Sequence, residues 1–436
     1  MSLYQGIATN QNKERALLVG IRRPGQTRHD AEASLAELSR LVHTAGGEII
    51  GSVSQEIHSP HPATFIGKGK IEEILALVQR DGIQFVAIDD DLSPAQNRNL
   101  ETTLKVKVLD RTAVILDICA KRARTKEGRL QVELAQLQYL APRLKGMWQH
   151  FGQQKGGIGM RGPGETQLEV DRRRIREKIT HVRHQIEEVK THRAVNRLKS
   201  EAVPLQLVSI VGYTNAGKST LFNQLTRAQV LVEDQLFATL DPTVRRLKLP
   251  SGRDILLADT VGFIRKLPHA LVEAFKATFE EIAHAQLLIH VIDAADPEAS
   301  QQAEVVQTVL QELELDHKPM ITVLNKRDSV TTPLFGLKGL SISALNGEGV
   351  LPLLEELDRV LRRDFMPLTL LLPHQRGDLL SQIYTLGHVE SVTYLPEGIW
   401  VACQLHRKYF NKLKEFQLDP NRSAIPPVGV RHLEGG

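Results

Sequence analysis

Residues 212–221 read GYTNAGKSTL and directly follow the apolar run LQLVSIV at residues 205–211. The pattern G-x-x-x-x-G-K-S between a strand and a helix is that of a phosphate-binding loop, and it commits this stretch to an α/β arrangement in which a strand delivers the chain to a ligand. Glycines let the main chain wrap closely around phosphate oxygens, while successive N–H groups and the helix N-terminus supply donors and positive potential. Lys218 would neutralise the β- and γ-phosphates and Ser219 would hold Mg²⁺, with Gly212, Tyr213, Thr214, Asn215, Ala216, Gly217 and Thr220 completing the cradle.

A glycine-rich turn between strand and helix is more often only a turn, so the order of later motifs is the test. Residues 255–262, ILLADTVG, read as a strand ending in D-x-x-G; residues 320–328, MITVLNKRD, as a strand ending in N-K-x-D; and residues 341–344 are SISA. Each stands where a strand gives way to a loop, the position at which doubly wound sheets bind ligands. The third motif selects the base. The Asp328 carboxylate takes two hydrogen bonds only from a base offering N1–H and a 2-amino group, which guanine has and adenine lacks; each lost partner costs about 1–3 kcal/mol. Asn325 would brace the loop and meet the base, Lys326 would lay its stem on the purine face with Arg327 following it, and a backbone N–H of Ser343 or Ala344, with Leu345 next to them, would read guanine O6. The site is therefore expected to take GTP.

The stretch 234–246, DQLFATLDPTVRR, is the natural switch between the first helix and the next strand. Thr239 is chosen over Thr243 as the second Mg²⁺ hydroxyl because F-A-T-L-D is similar to the switch of translation-associated GTPases, with Phe237, Ala238, Leu240 and Asp241 around it. Asp259 would reach Mg²⁺ through water, Thr260 and Val261 would follow it, and the Gly262 N–H would meet the γ-phosphate, so hydrolysis would release both loops. Lys218, Thr239 and Gly262 are the expected catalytic contacts. The residue after D-x-x-G is Phe263, where small signalling GTPases carry a water-orienting Gln, so unaided hydrolysis should be slow. Asn215 has two readings: a ligand for K⁺ beside the phosphates, or an Asn that tolerates a tight turn.

The 436 residues far exceed one nucleotide-binding domain. Residues 1–111 alternate short apolar runs with helical patterns and read as a small α/β domain. Within it, HSPHPATFIGKGK (58–70) is read as a structural or RNA-facing loop, a second nucleotide site there staying open. Residues 112–203 read as an antiparallel helical hairpin, with stripes at Leu130, Leu134, Leu137 and Leu140 and at Ile175, Ile179, Val182, Ile186 and Val189. Its tip, 149–167, is rich in Gly and basic. Lys155, Arg161, Arg172, Arg173 and Arg174, with Arg143 and interleaved aromatics, suit phosphates and unstacked bases; a solvated hairpin with a floppy turn is the plainer reading. Residues 204–363 form the nucleotide domain and 364–436 a small α+β tail.

Net charge of +4 is too small to prove a nucleic-acid partner, and two cysteines fit a reducing compartment or simple drift. No run of about 18 apolar residues occurs and the N-terminus lacks an apolar signal core, so a cytoplasmic protein without a membrane span, monomeric when free, is expected.

Taken together, RARTKEGRLQVELAQL, QKGGIGMRGPGETQLEVDRRR, GYTNAGKSTLFN, QLFATLDPT, LADTVGFI and NKRD resemble the HflX family of ribosome-binding GTPases over residues from about 15 to 360. The resemblance implies a P-loop GTPase fold, a partner in the 50S ribosomal subunit and its rRNA, insertion of the hairpin tip near the peptidyl-transferase centre, GTP-dependent splitting of stalled ribosomes, and some tolerance for ATP. A large-subunit assembly factor and a GTP-gated RNA-binding module stay beside it as alternatives.

Overall fold

The computed structural model describes residues 13–144, 167–200, 205–227, 236–266, 276–330, 336–362 and 365–418. Lys155 and Arg161, with residues 149–166 of the tip, lie outside the described residues.

The first unit runs β1 (Arg15–Arg22), α1 (Arg28–Ala45), β2 (Glu48–Glu56), α2 (Lys68–Asp81), β3 (Phe85–Ile88), α3 (Pro94–Leu104) and β4 (Lys107–Asp110). All four strands are parallel, in the order β2-β1-β3-β4. Both faces are covered at the centre, so β1 and β3 read as continuous apolar runs, whereas the edge strand β2 alternates exposed and half-buried positions. Leu17, Val19, Val86 and Ile88 pack with α2 and α3, whereas Ala16, Leu18, Phe85 and Ala87 pack with α1. Helix starts are set locally: Thr27 and Asp30 form a capping box on α1, and Ser93 and Gln96 form another on α3 ahead of Pro94. The 58–70 loop is closed on itself, with His61 and Phe65 exchanging main-chain hydrogen bonds and Gln96 and Asn99 donating to its carbonyls.

One helix was expected from residue 113 to 147; two form. Helix α4 (Arg111–Arg122) is capped by Asp110, Ala123 leaves the helical region at ψ 115°, and Thr125 caps α5 (Lys126–Leu140). Apolar side chains lie all round α4, so it packs beneath α1 on the first sheet and not in an exposed arm. The stripe on α5 does meet α6 (Gln167–Ser200): Leu130, Leu134 and Leu137 share a cluster with Ile175, Val182 and Ile186, and Ile179 and Val189 pack at its edge. Leu140, read as part of that stripe, turns to the larger core instead.

The nucleotide domain contains β5 (Leu207–Gly212), α7 (Lys218–Thr226), β6 (Thr243–Lys248), β7 (Asp254–Asp259), α8 (Lys276–His284), β8 (Leu287–Asp293), α9 (Ala299–Glu312), β9 (Met320–Asn325), β10 (Leu340–Ser341) and α10 (Val350–Arg362). Its six-stranded sheet runs β10-β9-β8-β5-β7-β6, parallel except for β6. One face packs on α7 and α10 through Phe222, Ile289 and Leu357. The other face, with Val211, Leu288 and Val306, shares one apolar cluster with α1, α4 and α5 of the first unit. A three-stranded antiparallel sheet follows, β11 (Phe365–Leu372), β12 (Gly387–Leu395) and β13 (Gly398–His406) in the order β11-β13-β12, covered by α11 (Gly377–Leu386). Among the described residues no helix is long and apolar enough to cross a membrane.

Candidate nucleotide-binding site

Strand β5 ends at Gly212 and α7 begins at Lys218, so the intervening loop sits at the carboxyl edge of a parallel sheet beside β7 and β9. A cavity of about 380 Å³ opens there. It is lined by Thr214, Asn215, Gly217, Lys218, Ser219 and Thr220 from the first loop, Phe237, Ala238 and Thr239 from the switch, Thr260 and Gly262 beyond β7, and Asn325, Lys326, Asp328, Ala344 and Leu345 at the far end. Sequence reasoning missed Ser329, which also lines it; a serine directly after N-K-x-D was the available signal.

At the phosphate end the Lys218 ammonium donates to the Tyr213 carbonyl at 2.7 Å. Burial lowers its pKa to about 8, opposed by the Asp259 charge, so an anionic ligand would restore an environment the cation lacks. Three hydroxyl and carboxylate groups converge beside it: Ser219 Oγ donates to Asp259 Oδ2 at 2.7 Å, Thr239 Oγ1 donates to the same oxygen at 3.1 Å, and the two hydroxyls are 2.7 Å apart. Asp259 Oδ1 and Thr214 Oγ1 are buried and have no hydrogen-bond partner among the described residues. Burial drives the Asp259 carboxyl pKa upward against the Ser219 hydrogen bond and the Lys218 charge. A compact set of hard oxygens with an unpaired buried carboxylate oxygen fits Mg²⁺. Gly262 is confined as well: a Cβ there would stand 2.8 Å from the Lys218 Nζ and the Thr214 backbone, closing the space the cradle leaves.

At the base end Asn325 donates from Nδ2 to the Ala216 carbonyl at 2.9 Å, tying the third motif to the first. Its Oδ1 accepts the Ala344 N–H at 2.9 Å, and the Ser343 N–H goes to the Glu348 carbonyl at 3.0 Å. Both N–H groups expected to read guanine O6 are thus engaged within the protein, because the Asn325 carboxamide and the Glu348 carbonyl lie closer. Asp328 accepts from Ser343 Oγ at 2.5 Å and from Ser329 Oγ at 3.0 Å, which hold its carboxyl below the usual range and ionised. Lys326, at φ 62°, pairs with Asp293 at 2.7 Å. Asn215 has φ 63°, so a left-handed turn accounts for this residue type directly.

Several expected contacts lie off the cavity. Gly212, Tyr213, Ala216, Val261, Arg327 and Ser343 form its frame; Leu240 is buried in the shared core; and the Asp241 carboxylate points to α5. Asp259 is likewise behind the lining, reached through Ser219 and Thr239. The Phe263 ring is buried and stacked on Phe279 with 6.0 Å between centroids, and its main chain is bonded to Gly212 and Thr214. Of the basic residues, Arg173 and Arg174 are exposed on α6 beside Glu177 and Asp171, and Arg172 is half-buried. Arg143 is structural: it bonds Asp110 at 3.0 Å and lies over the Tyr139 ring.

A polar network behind the first loop joins residues far apart in sequence, which no local motif signals. The Tyr213 hydroxyl donates to Glu37 of α1 and accepts the Arg265 N–H at 2.9 Å. Arg111 pairs with Glu37 and, at 2.6 Å, with Asp89, and donates to the Arg265 carbonyl at 3.1 Å. Lys266 bonds Asp89 at 3.0 Å. Burial and the Glu37 carboxylate both raise the Tyr213 pKa, so the phenol stays a donor.

Comparison with known proteins agrees with this architecture. Models described as GTP-binding GTPase N-terminal, GTP-binding GTPase Middle Region and 50S ribosome-binding GTPase match residues 32–120, 122–199 and 207–326. The GTPase HflX of Caldanaerobacter subterraneus is 46% identical over 407 residues, covering 93% of this chain and 94% of its own. That of Escherichia coli is 47% identical over 368 residues, covering 82% and 85%. A GTP-binding protein from Sulfolobus solfataricus, solved in complex with GDP, is 25% identical with a TM-score of 0.42, covering 80% of this chain and 98% of that one. With the two HflX relatives 46% and 47% identical over 93% and 82% of this chain, and with the three motif loops gathered on one sheet edge, the chain belongs to the HflX family of GTPases and is a GTP hydrolase.

Proposed function

We propose that this GTPase binds the 50S ribosomal subunit and its rRNA in the GTP state and splits 70S ribosomes, stalled ones included, hydrolysis then resetting it. It acts as a cytoplasmic monomer. The observation that carries the reading is that the switch packs on the unit bearing the α5–α6 pair: Phe237 and Leu240 share a core with Val132 and Ala135 of α5. A ribosome-facing helix pair can therefore respond to what the switch holds.

In this reading Lys218 and the N–H groups from Asn215 to Ser219 hold the β- and γ-phosphates, and Gly262 faces the γ-phosphate. Ser219 and Thr239 hold Mg²⁺ directly and Asp259 through water. Mg²⁺ when bound offsets charge on the phosphoryl oxygens. Asp328 selects guanine. Phe263 is apolar and locked by Phe279, so it orients no water, and the protein alone turns over slowly. The missing stabilisation comes from the ribosome, with K⁺ at Asn215 as a second contributor.

The test follows light scattering of 70S ribosomes mixed with the protein and GTP or a non-hydrolysable analogue, with turnover measured in KCl and in NaCl. Falling scattering with either nucleotide is expected. Constant scattering despite ribosome-stimulated turnover would replace splitting with subunit assembly, and equal turnover in the two salts would leave Asn215 as a turn residue only.

A further inference from the structure

We propose that Asp241 is the positioning residue that couples the nucleotide state to the helix pair: a carboxylate two residues past Thr239 that clamps the N-terminus of α5. Asp241 Oδ2 accepts the Arg124 and Thr125 N–H groups, each at 2.8 Å, and Oδ1 accepts the Thr125 hydroxyl at 2.5 Å. Thr125 is itself the cap of α5, accepting the Gly128 N–H at 2.9 Å. An anion at this end also meets the positive pole of the helix, so the contact is charge-assisted on both counts.

The clamp has a fixed partner on each side. Upstream, only Leu240 separates Asp241 from Thr239, whose hydroxyl sits with Ser219 and Asp259. Downstream, α5 has two packed faces, one against α4 in the large core and one against α6 through Leu130, Leu134 and Leu137. Lys178 of α6 adds an ion pair to Glu133 at 2.6 Å. Withdrawal of Thr239 pulls the carboxylate off the Arg124 and Thr125 amides, and the Thr125 cap of α5 loses the anion that holds it in place. By linkage the converse holds: whatever seats α5 and α6 on a partner favours the GTP-holding position of the switch. Gly128 records the closeness of the fit, since a Cβ there would overlap the Asp241 carboxylate.

The inference rests on Thr239 as a Mg²⁺ ligand, and the experiment separates the two claims. Amide hydrogen exchange of the full-length protein is followed at residues 124–128 with GDP·Mg²⁺ and with a non-hydrolysable GTP analogue, alongside fluorescent-nucleotide affinities. Exchange in the unaltered protein should slow about tenfold or more in the GTP-analogue state. Asp241→Ala should erase that difference, and Asp241→Asn, which keeps one acceptor oxygen, should retain part of it. Gly128→Ala should erase it too, although alanine favours the helix itself, which distinguishes an expelled clamp from a damaged fold. A nucleotide difference that survives both Asp241→Ala and Gly128→Ala while Thr239→Ala abolishes it would overturn the clamp and leave the Thr239 assignment standing. Full preference for the GTP analogue in Thr239→Ala would sink that assignment instead, and the clamp with it.

Discussion

At the scale of single residues, the base selection proposed for Asp328 rests on keeping its carboxylate ionised and aimed. Asp328 is at the surface, yet the Ser343 and Ser329 hydroxyls donate to its two oxygens and hold its pKa down. A carboxylate so held presents only acceptors, which suits the two donors of guanine. Replacing it by an amide turns one acceptor into a donor. Asp328→Asn should therefore weaken GTP about 10- to 100-fold, as expected for one or two lost hydrogen bonds. The same change should strengthen xanthosine triphosphate, whose 2-oxo group accepts. Titrating both nucleotides against the variant checks this, and an unchanged ratio between them would remove Asp328 from base reading. The residues of this pocket were legible because backbone geometry and ligand chemistry dictate residue type there. Asp241 and Tyr213 were misplaced for the same reason: both stand inside a motif, but their side chains serve contacts more than one hundred residues away in sequence, which no local pattern encodes.

At the scale of elements, period and capping decided what could be read. The strands and helices of the first unit followed from short apolar runs alternating with helical patterns, since such signals are local, and the capping boxes at Thr27 and Ser93 stand where α1 and α3 begin. The break between α4 and α5 did not follow in this way, because Ala and basic residues that favour a helix run through residues 120–126; the Thr125 cap and the distant Asp241 carboxylate fix it. The second helix of the pair, α6, carries its arginines on a polar face opposite Ile175 and Val182, with Arg173 and Arg174 near solvent. These two pair with Glu177 and Asp171 at 3.8 and 3.7 Å, and such pairs near solvent are weak. Replacing Arg172, Arg173 and Arg174 by Ala should lower ribosome affinity, most strongly at low salt, and flatten the slope of log affinity against log salt by up to about two to three. Nucleotide affinity of the free protein should not change. Sedimentation with ribosomes across a salt series reads both quantities, and identical slopes would assign these arginines to solvent.

At the scale of the whole molecule, the first unit and the nucleotide domain share a core and a buried charge network, so they should gain and lose order together. Glu37, Asp89 and Arg111 are each no more than 3% exposed, and Tyr213, Arg265 and Lys266 reach them from the loops that flank the phosphates. The Arg111 guanidinium stands between the two carboxylates and pairs with both; burial works against its cation, but Glu37 and Asp89 outweigh it and raise its pKa. Removing that one charge leaves Glu37 with the Tyr213 hydroxyl and Asp89 with Lys266 and Ser34, and breaking a buried pair in this way costs about 3–5 kcal/mol. Because these groups lie at the junction, the loss falls on docking of the two units. Calorimetry of the unaltered protein should show GDP·Mg²⁺ moving the unfolding of the first unit along with that of the nucleotide domain, since ligand free energy is shared across a cooperative interface. Arg111→Met, which keeps the stem and removes the charge, should split the endotherm into two, of which nucleotide shifts only one. If the variant instead unfolds in a single transition that still moves fully with nucleotide, the shared apolar cluster alone couples the units, and the network serves to orient Tyr213 behind the phosphate loop.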